Sequence, residues 1–338
     1  MIMSVFSVDF LTSNIELIQQ VRGFIADWKS DTDYIETNTS GSTGTPKTIR
    51  LLKTQMKASA QMSGKYFHFS SNKKIMLSLP IHTIGGKMIV IRAIEFNMIL
   101  VVSDLEKNPI RNLNNSIYFI SLVPYQLQSI IEETPDKLNL IENILLGGAP
   151  VSEKLKNQIQ LFRPNFYESY GMTETMSHVA IKNLKSSGNY FEALGNTEFS
   201  IKNDTLTIHA NDINIENLQT NDQVKLLNKK QFIWLGRKDF VINSGGKKFH
   251  PEIIEHKLAN SIPQRFYIYK EFDEKLGEKI ILIIEHESSD LLVEEIKKSC
   301  QNRLEKHEIP KKIYFTNQFY ETKSNKINRI ETYNNMKK

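Results

Sequence analysis

Four short apolar runs, at residues 75–79, 98–102, 116–121 and 141–146, are separated by segments long enough to be helices. Strands joined by helix-length crossovers lie parallel, so this spacing predicts an α/β core. Before them, Ile15, Leu17, Ile18, Val21, Phe24 and Ile25 recur at helical period and stop at Ser30-Asp31-Thr32-Asp33, which predicts an amphipathic helix over 14–29. A short strand at 34–36 follows, and a second helix begins near Lys53.

From 198 to 234 the texture changes. FSIKNDTLTIHA and QVKLLNKKQFIWL alternate and read as antiparallel hairpins with Asn-Asp and Asn-Lys turns, an accessory sheet. Beyond Gly236 come a glycine turn, a helix over 251–258, strands at 265–269 and 279–285, a helix from about 290 to 304, and a lysine-rich tail. A chain of 338 residues, 40% of them hydrophobic and 24% charged, exceeds one typical domain. The boundary is expected near Lys238-Asp239, between a large α/β domain (1–237) and a small α+β domain (238–338).

The net charge of +5 comes from basic residues interleaved with acidic ones, so it does not single out a nucleic acid. It suits a protein handling polyanions, and an ordinary lysine-rich surface accounts for it most simply. Cys300 is the only cysteine, which excludes an internal disulfide and a multi-cysteine metal site. No run approaches the roughly 18 apolar residues of a membrane helix, and the chain reaches Asp9 before any basic or sustained apolar leader appears. A cytoplasmic protein is expected.

Four segments carry chemistry. Thr39, Ser40, Gly41, Ser42, Thr43, Gly44, Thr45, Pro46 and Lys47 gather hydroxyls and glycines in a loop closed by lysine. Backbone N–H groups freed to turn toward one anion, with a mobile cation beside them, make a phosphate cradle; the same residues also suit a flexible loop. Gly41 stands only three residues before Gly44, so the spacing is not that of the usual P-loop. In Tyr170-Gly171-Met172-Thr173-Glu174-Thr175 a carboxylate beside hydroxyls can hold magnesium against phosphate and a phenol can stack on a base, or the segment is a strand-end turn. Gly236-Arg237-Lys238-Asp239 precedes Gly245-Gly246-Lys247 and a proline-started helix at Pro251. An arginine fork and a close-approach glycine pair compete there with a charged hairpin. Finally, Ser324-Asn325-Lys326 puts a lysine in a polar turn, or in a solvated tail.

In this order, and joined by Gly147-Gly148-Ala149-Pro150 and Thr220-Asn221-Asp222, these segments resemble the adenylate-forming superfamily over nearly the whole span from Thr39 to Arg329. The resemblance implies a large N-terminal α/β domain, a small mobile C-terminal domain, and ATP, magnesium and coenzyme A as cofactor and co-substrates of acyl-adenylate chemistry. It implies that the 39–47 loop handles the ATP phosphates, that Glu174 with Thr173 serves magnesium, and that Gly147, Gly148, Ala149, Pro150, Tyr170 and Gly171 frame the adenine. Asp222 and Arg237 would hold the ribose, Asp239 would be the hinge, Gly245 and Gly246 would line the pantetheine channel, and Lys326 would be the catalytic lysine. Asn221 and Asn325 stand where such enzymes usually carry glycine, and asparagine tolerates φ > 0 better than most residues. The phosphate loop comes early, so the resemblance implies a large domain shortened at its N-terminus, with one wall exposed or covered by a partner subunit.

The segment from Leu79 to Met88, with Arg92 after it, sits where the superfamily places its acyl pocket and is similar to that of short o-succinylbenzoate:CoA ligases of menaquinone biosynthesis. A dicarboxylate calls for an apolar wall and a cation for its unreacting carboxylate. His82, Gly86 and Lys87 are the pocket candidates; His82 could instead gate the pocket, and Arg92 could pair with Glu95 or a neighbour. A different acid, a carrier-protein acceptor, an inactive nucleotide-binding scaffold and a homodimer all stay open at this point.

Overall fold

The computed structural model describes residues 6–38, 48–321 and 327–337. The chain opens with β1 (Ser7–Phe10), α1 (Ile15–Lys29), an antiparallel pair β2 (Tyr34–Asn38) and β3 (Thr48–Leu52), and α2 (Lys53–Tyr66). Strand and helix then alternate through β4 (Lys74–Leu77), α3 (Ile84–Glu95), β5 (Ile99–Val102), β6 (Ile117–Leu122), α4 (Pro124–Glu133), β7 (Ile141–Leu146), α5 (Glu153–Ile159) and β8 (Asn165–Met172). The next strands are β9 (Ser177–Asn183), β10 (Phe191–Ala193), β11 (Glu198–Lys202), β12 (Thr205–Ala210), β13 (Ile215–Gln219), β14 (Asp222–Asn228) and β15 (Gln231–Arg237).

Ten strands form one sheet in the order β1-β5-β4-β6-β7-β8-β9-β10-β15-β14. Its first six strands are parallel, as the spacing of the apolar runs predicts. The rest is antiparallel and grows from the β8–β9 hairpin. Only one of the two predicted hairpins belongs to an accessory sheet, the three-stranded β11-β12-β13. The other, β14–β15, joins the main sheet because β15 pairs with β10.

The central parallel strands β4, β5, β6 and β7 are covered on both faces, which is why they read as continuous apolar runs. On β4, Ile75 and Leu77 enter the core under α1, α2 and α3, while Met76 enters the core under α4 and α5. Asn14 caps α1 by accepting a hydrogen bond from Leu17 N, and the helix buries Leu17, Val21 and Phe24. Helix α3 is buried almost all round. The ring of Phe96 lies so close to Gly64 on α2 that an added methyl would meet it at 2.0 Å.

Residues 242–336 build a second sheet from β16 (Ile242–Ser244), β17 (Lys247–Phe249), β18 (Phe266–Asp273), β19 (Gly277–Glu285) and β20 (Lys312–Thr316), with α6 (Pro251–Leu258), α7 (Asp290–Arg303) and α8 (Arg329–Met336). Helices α6 and α7 cover one face around Ile254, Leu282, Ile296 and Cys300. On the other face Tyr267, Ile281, Ile283 and Phe319 pack with Tyr333 and Met336 of α8. The predicted lysine-rich tail is therefore structured in part: β20 pairs parallel with β19, and α8 is docked. Among the described residues no helix is long and apolar enough to cross a membrane.

Candidate active site

Three of the chemistry-bearing segments follow carboxyl ends of the parallel strands: 78–87 after β4, 147–151 after β7, and 173–175 after β8. In an open α/β sheet that edge is where ligands bind, because the backbone leaves the sheet there and its loops diverge.

The 147–151 loop is fastened at both ends. Gly147 N donates to Leu122 O at 3.0 Å, Gly148 takes φ +83°, and Val151 N donates to the Glu168 carboxylate at 3.2 Å. That carboxylate is buried and paired with Lys182 at 2.6 Å. Gly147, Gly148, Ala149 and Pro150 thus sit above a buried ion pair.

Beside this loop, Tyr170 packs against Phe191 and Phe232 and donates its hydroxyl to Asp222 Oδ2 at 2.6 Å. Trp234 Nε1 donates to the other oxygen at 3.2 Å, and Asp222 N donates to Thr220 Oγ1. Burial, then the Asp222 charge, hold the Tyr170 phenol well above its ordinary pKa, so it stays a donor. Asp222 faces Arg237 across β14–β15, and Arg237 pairs with Asp239 at 2.6 Å in the single turn Lys238–Phe240. The buried Arg237 Nε has no partner. Tyr170, Asp222, Arg237 and Asp239 are therefore one connected group, and each Asp222 oxygen keeps acceptor capacity.

The turn after β8 is tightly specified. A methyl on Gly171 would lie 2.0 Å from Ser177 O, so no larger residue fits as the chain doubles back. Met172 N donates to Thr175 Oγ1, and that hydroxyl donates to Ser177 O at 2.6 Å. Met176 takes φ +57° and Ser177 φ +145°, and non-glycine strain of this kind gathers at functional sites. Glu174 is exposed on the turn beside Thr173. Among the described residues no cluster of three or more His, Cys, Asp or Glu could hold a metal by itself. One exposed carboxylate next to a hydroxyl fits magnesium, which takes one or two protein carboxylates and draws its other oxygens from substrate phosphates and water.

In the segment after β4, Thr83 caps α3, accepting from Gly86 N and donating to Pro80 O at 2.7 Å. A methyl on Gly86 would strike Pro80 O at 2.3 Å. His82 is exposed. Lys87 is buried, and its ammonium donates to Ile81 O and His82 O and lies 5.5 Å from the Phe24 ring centroid. Burial lowers its pKa, against the pull of Asp27.

Arg92 does not pair with Glu95, whose partner is Lys57 at 3.2 Å. It is 1% exposed, it donates to Ser177 Oγ at 2.9 Å, and its Nε has no partner among the described residues. Among the described residues no carboxylate lies within ion-pair distance of it. Burial pushes the guanidinium down to about 9, which leaves it charged at neutral pH. The signal in the sequence is a lone arginine inside the apolar stretch MIVIRAI. Through it, α3 meets the start of β9, just after the turn that carries Glu174.

Gly245 and Gly246, at φ +56° and +77°, form the two-residue turn of the β16–β17 hairpin, where Gly245 N donates to Leu276 O. They share no hydrogen bond with the Tyr170 group. The 39–47 loop, with Thr39, Ser40, Gly41, Ser42, Thr43, Gly44 and Lys47, and the catalytic candidate Lys326 lie outside the described residues.

A mixed sheet whose parallel half carries these segments at its carboxyl edge defines an α/β class, and comparison with known proteins identifies the family. Residues 29–210 match the family of AMP-binding enzymes. The chain belongs to that family. It is 33% identical to an acyl-CoA synthetase (AMP-forming)/AMP-acid ligase II-like protein from Dyadobacter fermentans, with a TM-score of 0.64 over 96% of this chain and 95% of that one. It is 27% identical to the 2-succinylbenzoate--CoA ligase of Haemophilus influenzae over 74% of its length, and 28% identical to that of Escherichia coli over 81%. The chain spans 58% and 64% of the length of these two relatives. It also shares its fold with an O-succinylbenzoate coenzyme A synthetase from Bacillus subtilis in complex with ATP and magnesium ion, at a TM-score of 0.76 and 23% identity over 88% of this chain and 69% of that one.

Proposed function

We propose that this protein is an ATP-dependent acid:CoA ligase acting on o-succinylbenzoate. In the first half-reaction a carboxylate oxygen attacks the α-phosphorus of ATP and pyrophosphate leaves, giving the acyl-adenylate. In the second, the coenzyme A thiolate attacks the acyl carbonyl carbon and AMP leaves with the electrons of the broken C–O bond.

In this reading the 39–47 loop holds the ATP phosphates, the 147–150 loop and Tyr170 frame the adenine, and Asp222 with Arg237 holds the ribose. Magnesium, bound with the nucleotide, would neutralise phosphate charge, and Glu174 with Thr173 would hold it. Lys326 supplies positive charge as the carboxylate meets the phosphate, where negative groups crowd together. The chain divides at 237/238, and the small domain turns about Asp239 between the half-reactions, bringing Gly245 and Gly246 to the pantetheine.

The observation that carries the choice of acid is Arg92: a buried guanidinium with no carboxylate partner among the described residues, on the helix that follows the acyl segment. An unpaired buried cation is costly, and the unreacting carboxylate of a dicarboxylic acid satisfies it bidentately. The names of the two curated relatives support the same acid. His82 and Gly86 stay at the pocket mouth in this reading, and Lys87 beneath it. A pyrophosphate-release assay over o-succinylbenzoate, benzoate and a medium-chain fatty acid tests the choice. Turnover of the dicarboxylate alone is expected, and a preference for either monocarboxylate would overturn it.

A further inference from the structure

Arg92 is held by a chain of hydrogen bonds with a single permitted direction. A guanidinium only donates, so Ser177 Oγ accepts from Arg92 at 2.9 Å. The Ser177 hydroxyl then has His178 Nδ1 at 3.1 Å to donate to, and Arg92 also approaches that nitrogen at 3.4 Å. His178 Nδ1 must therefore be the unprotonated nitrogen, so Nε2 carries the hydrogen and donates to Ser63 Oγ at 3.1 Å. Ser63 in turn donates to Ser59 O at 3.1 Å, within α2. His178 is 4% exposed and Ser63 is fully buried. Burial, then the neighbouring Arg92 charge, keep the imidazole neutral by holding its pKa well below the ordinary value. The chain runs from α3 through β9 to α2 and engages one terminal nitrogen of the guanidinium, while Nε is left without a partner. A core filler in this place has no need of polar atoms on both sides of its ring.

We propose that His178, backed by Ser63, is a positioning residue for acid recognition, fixing Ser177 and Arg92 so that the guanidinium keeps one edge set for the unreacting carboxylate. This rests on the ligase reading above. It separates selectivity for the acid, which depends on the Arg92–Ser177–His178–Ser63 chain, from affinity for ATP, which depends on the Tyr170–Asp222 group.

The test compares o-succinylbenzoate with 4-oxo-4-phenylbutanoate, the same skeleton without the ring carboxylate, in the coenzyme A thioester assay. His178→Leu should lower the kcat/KM ratio of the first acid over the second by about tenfold or more and leave the KM for ATP within about twofold. His178→Gln should restore most of the ratio, because its amide oxygen accepts from Ser177 and its amide N–H donates to Ser63. Should the leucine variant fail to fold, Ser63→Ala, with an expected fall of about threefold in the same ratio, carries the test with the glutamine variant. A wild-type enzyme that turns over both acids alike, or neither, removes the dicarboxylate ligase reading on which the proposal rests. A wild-type enzyme that does distinguish them, with folded His178 variants that keep the ratio or lose ATP and acid affinity together, overturns the positioning role alone.

Discussion

Glu252, in the first turn of α6, is a carboxylic acid where a charge is unwelcome. Its Oε2 is buried without a partner and lies where a methyl on Gly236 would come within 2.3 Å of it. Burial raises its pKa from 4.5 to about 7; Arg329, 3.8 Å away, pulls it back only in part and gives its closer contact, 2.8 Å, to Glu255. A carboxyl whose folded pKa lies above its unfolded one binds more protons in the folded state, so stability falls as pH rises between 4.5 and 7. The full loss, roughly 3 kcal/mol from a shift of this size, is present above pH 7. Glu252→Gln should therefore be more stable than the parent at pH 8, by up to this amount, and equal to it at pH 4.5. Denaturant unfolding at the two pH values checks this, and a variant less stable than the parent at pH 8 would show that the carboxylate is the form this site stabilises. The site residues divide by how far their partners lie along the chain. Tyr170 and Arg237 stand out in the sequence through their motifs, whereas the contact between Tyr170 and Asp222 spans 52 residues. Arg92 is visible as a charge in an apolar stretch, but its missing partner shows only once Glu95 is seen to belong to Lys57.

Elements with strong local signals agree with their predicted limits. Helix α2 begins at Lys53, α6 runs from Pro251 to Leu258, and β7 from Ile141 to Leu146. In each, periodicity or a boundary residue lies inside the element itself. Strand β1 carries no such signal: it has four half-covered residues, and its pairing with β5 is made across some ninety positions of chain. The same holds for β20 and α8, which lie in a lysine-rich stretch and whose inner faces are set by β19 and Tyr267. At this scale the loop after β7 depends on a contact from β9. Lys182→Met should leave the Glu168 carboxylate buried without its cation and destabilise the protein by about 3–5 kcal/mol. Adding Glu168→Gln should recover most of that loss, since the glutamine oxygen still accepts from Val151 N. Losses that merely add in the double variant, measured by denaturant unfolding, would mean that the pair is not coupled.

For the whole molecule, the proposed ligase runs two reactions in one site, with the 238–338 segment in a different position for each. Among the described residues, polar contacts join the two parts of the chain, His256 with Glu153 at 2.6 Å, Lys248 with Asp204 at 3.5 Å and Lys238 with Asn203 O at 3.0 Å, beside the packing of Glu252 on Gly236. Such an interface can be exchanged for another at little cost. Lys326→Ala should abolish adenylate formation and spare thioester formation from supplied acyl-adenylate, and Asp239→Pro should do the reverse by fixing the backbone at the turn. Equal loss of both half-reactions in either variant would contradict the division.

The most direct measurement is coenzyme A thioester formation by the purified protein with ATP, magnesium and o-succinylbenzoate, followed by mass of the acyl-CoA product. The expected product is a thioester one water lighter than acid plus coenzyme A, formed with AMP and pyrophosphate in equal amounts. Adenylate without thioester, or no product from this acid while another acid is consumed, would contradict it.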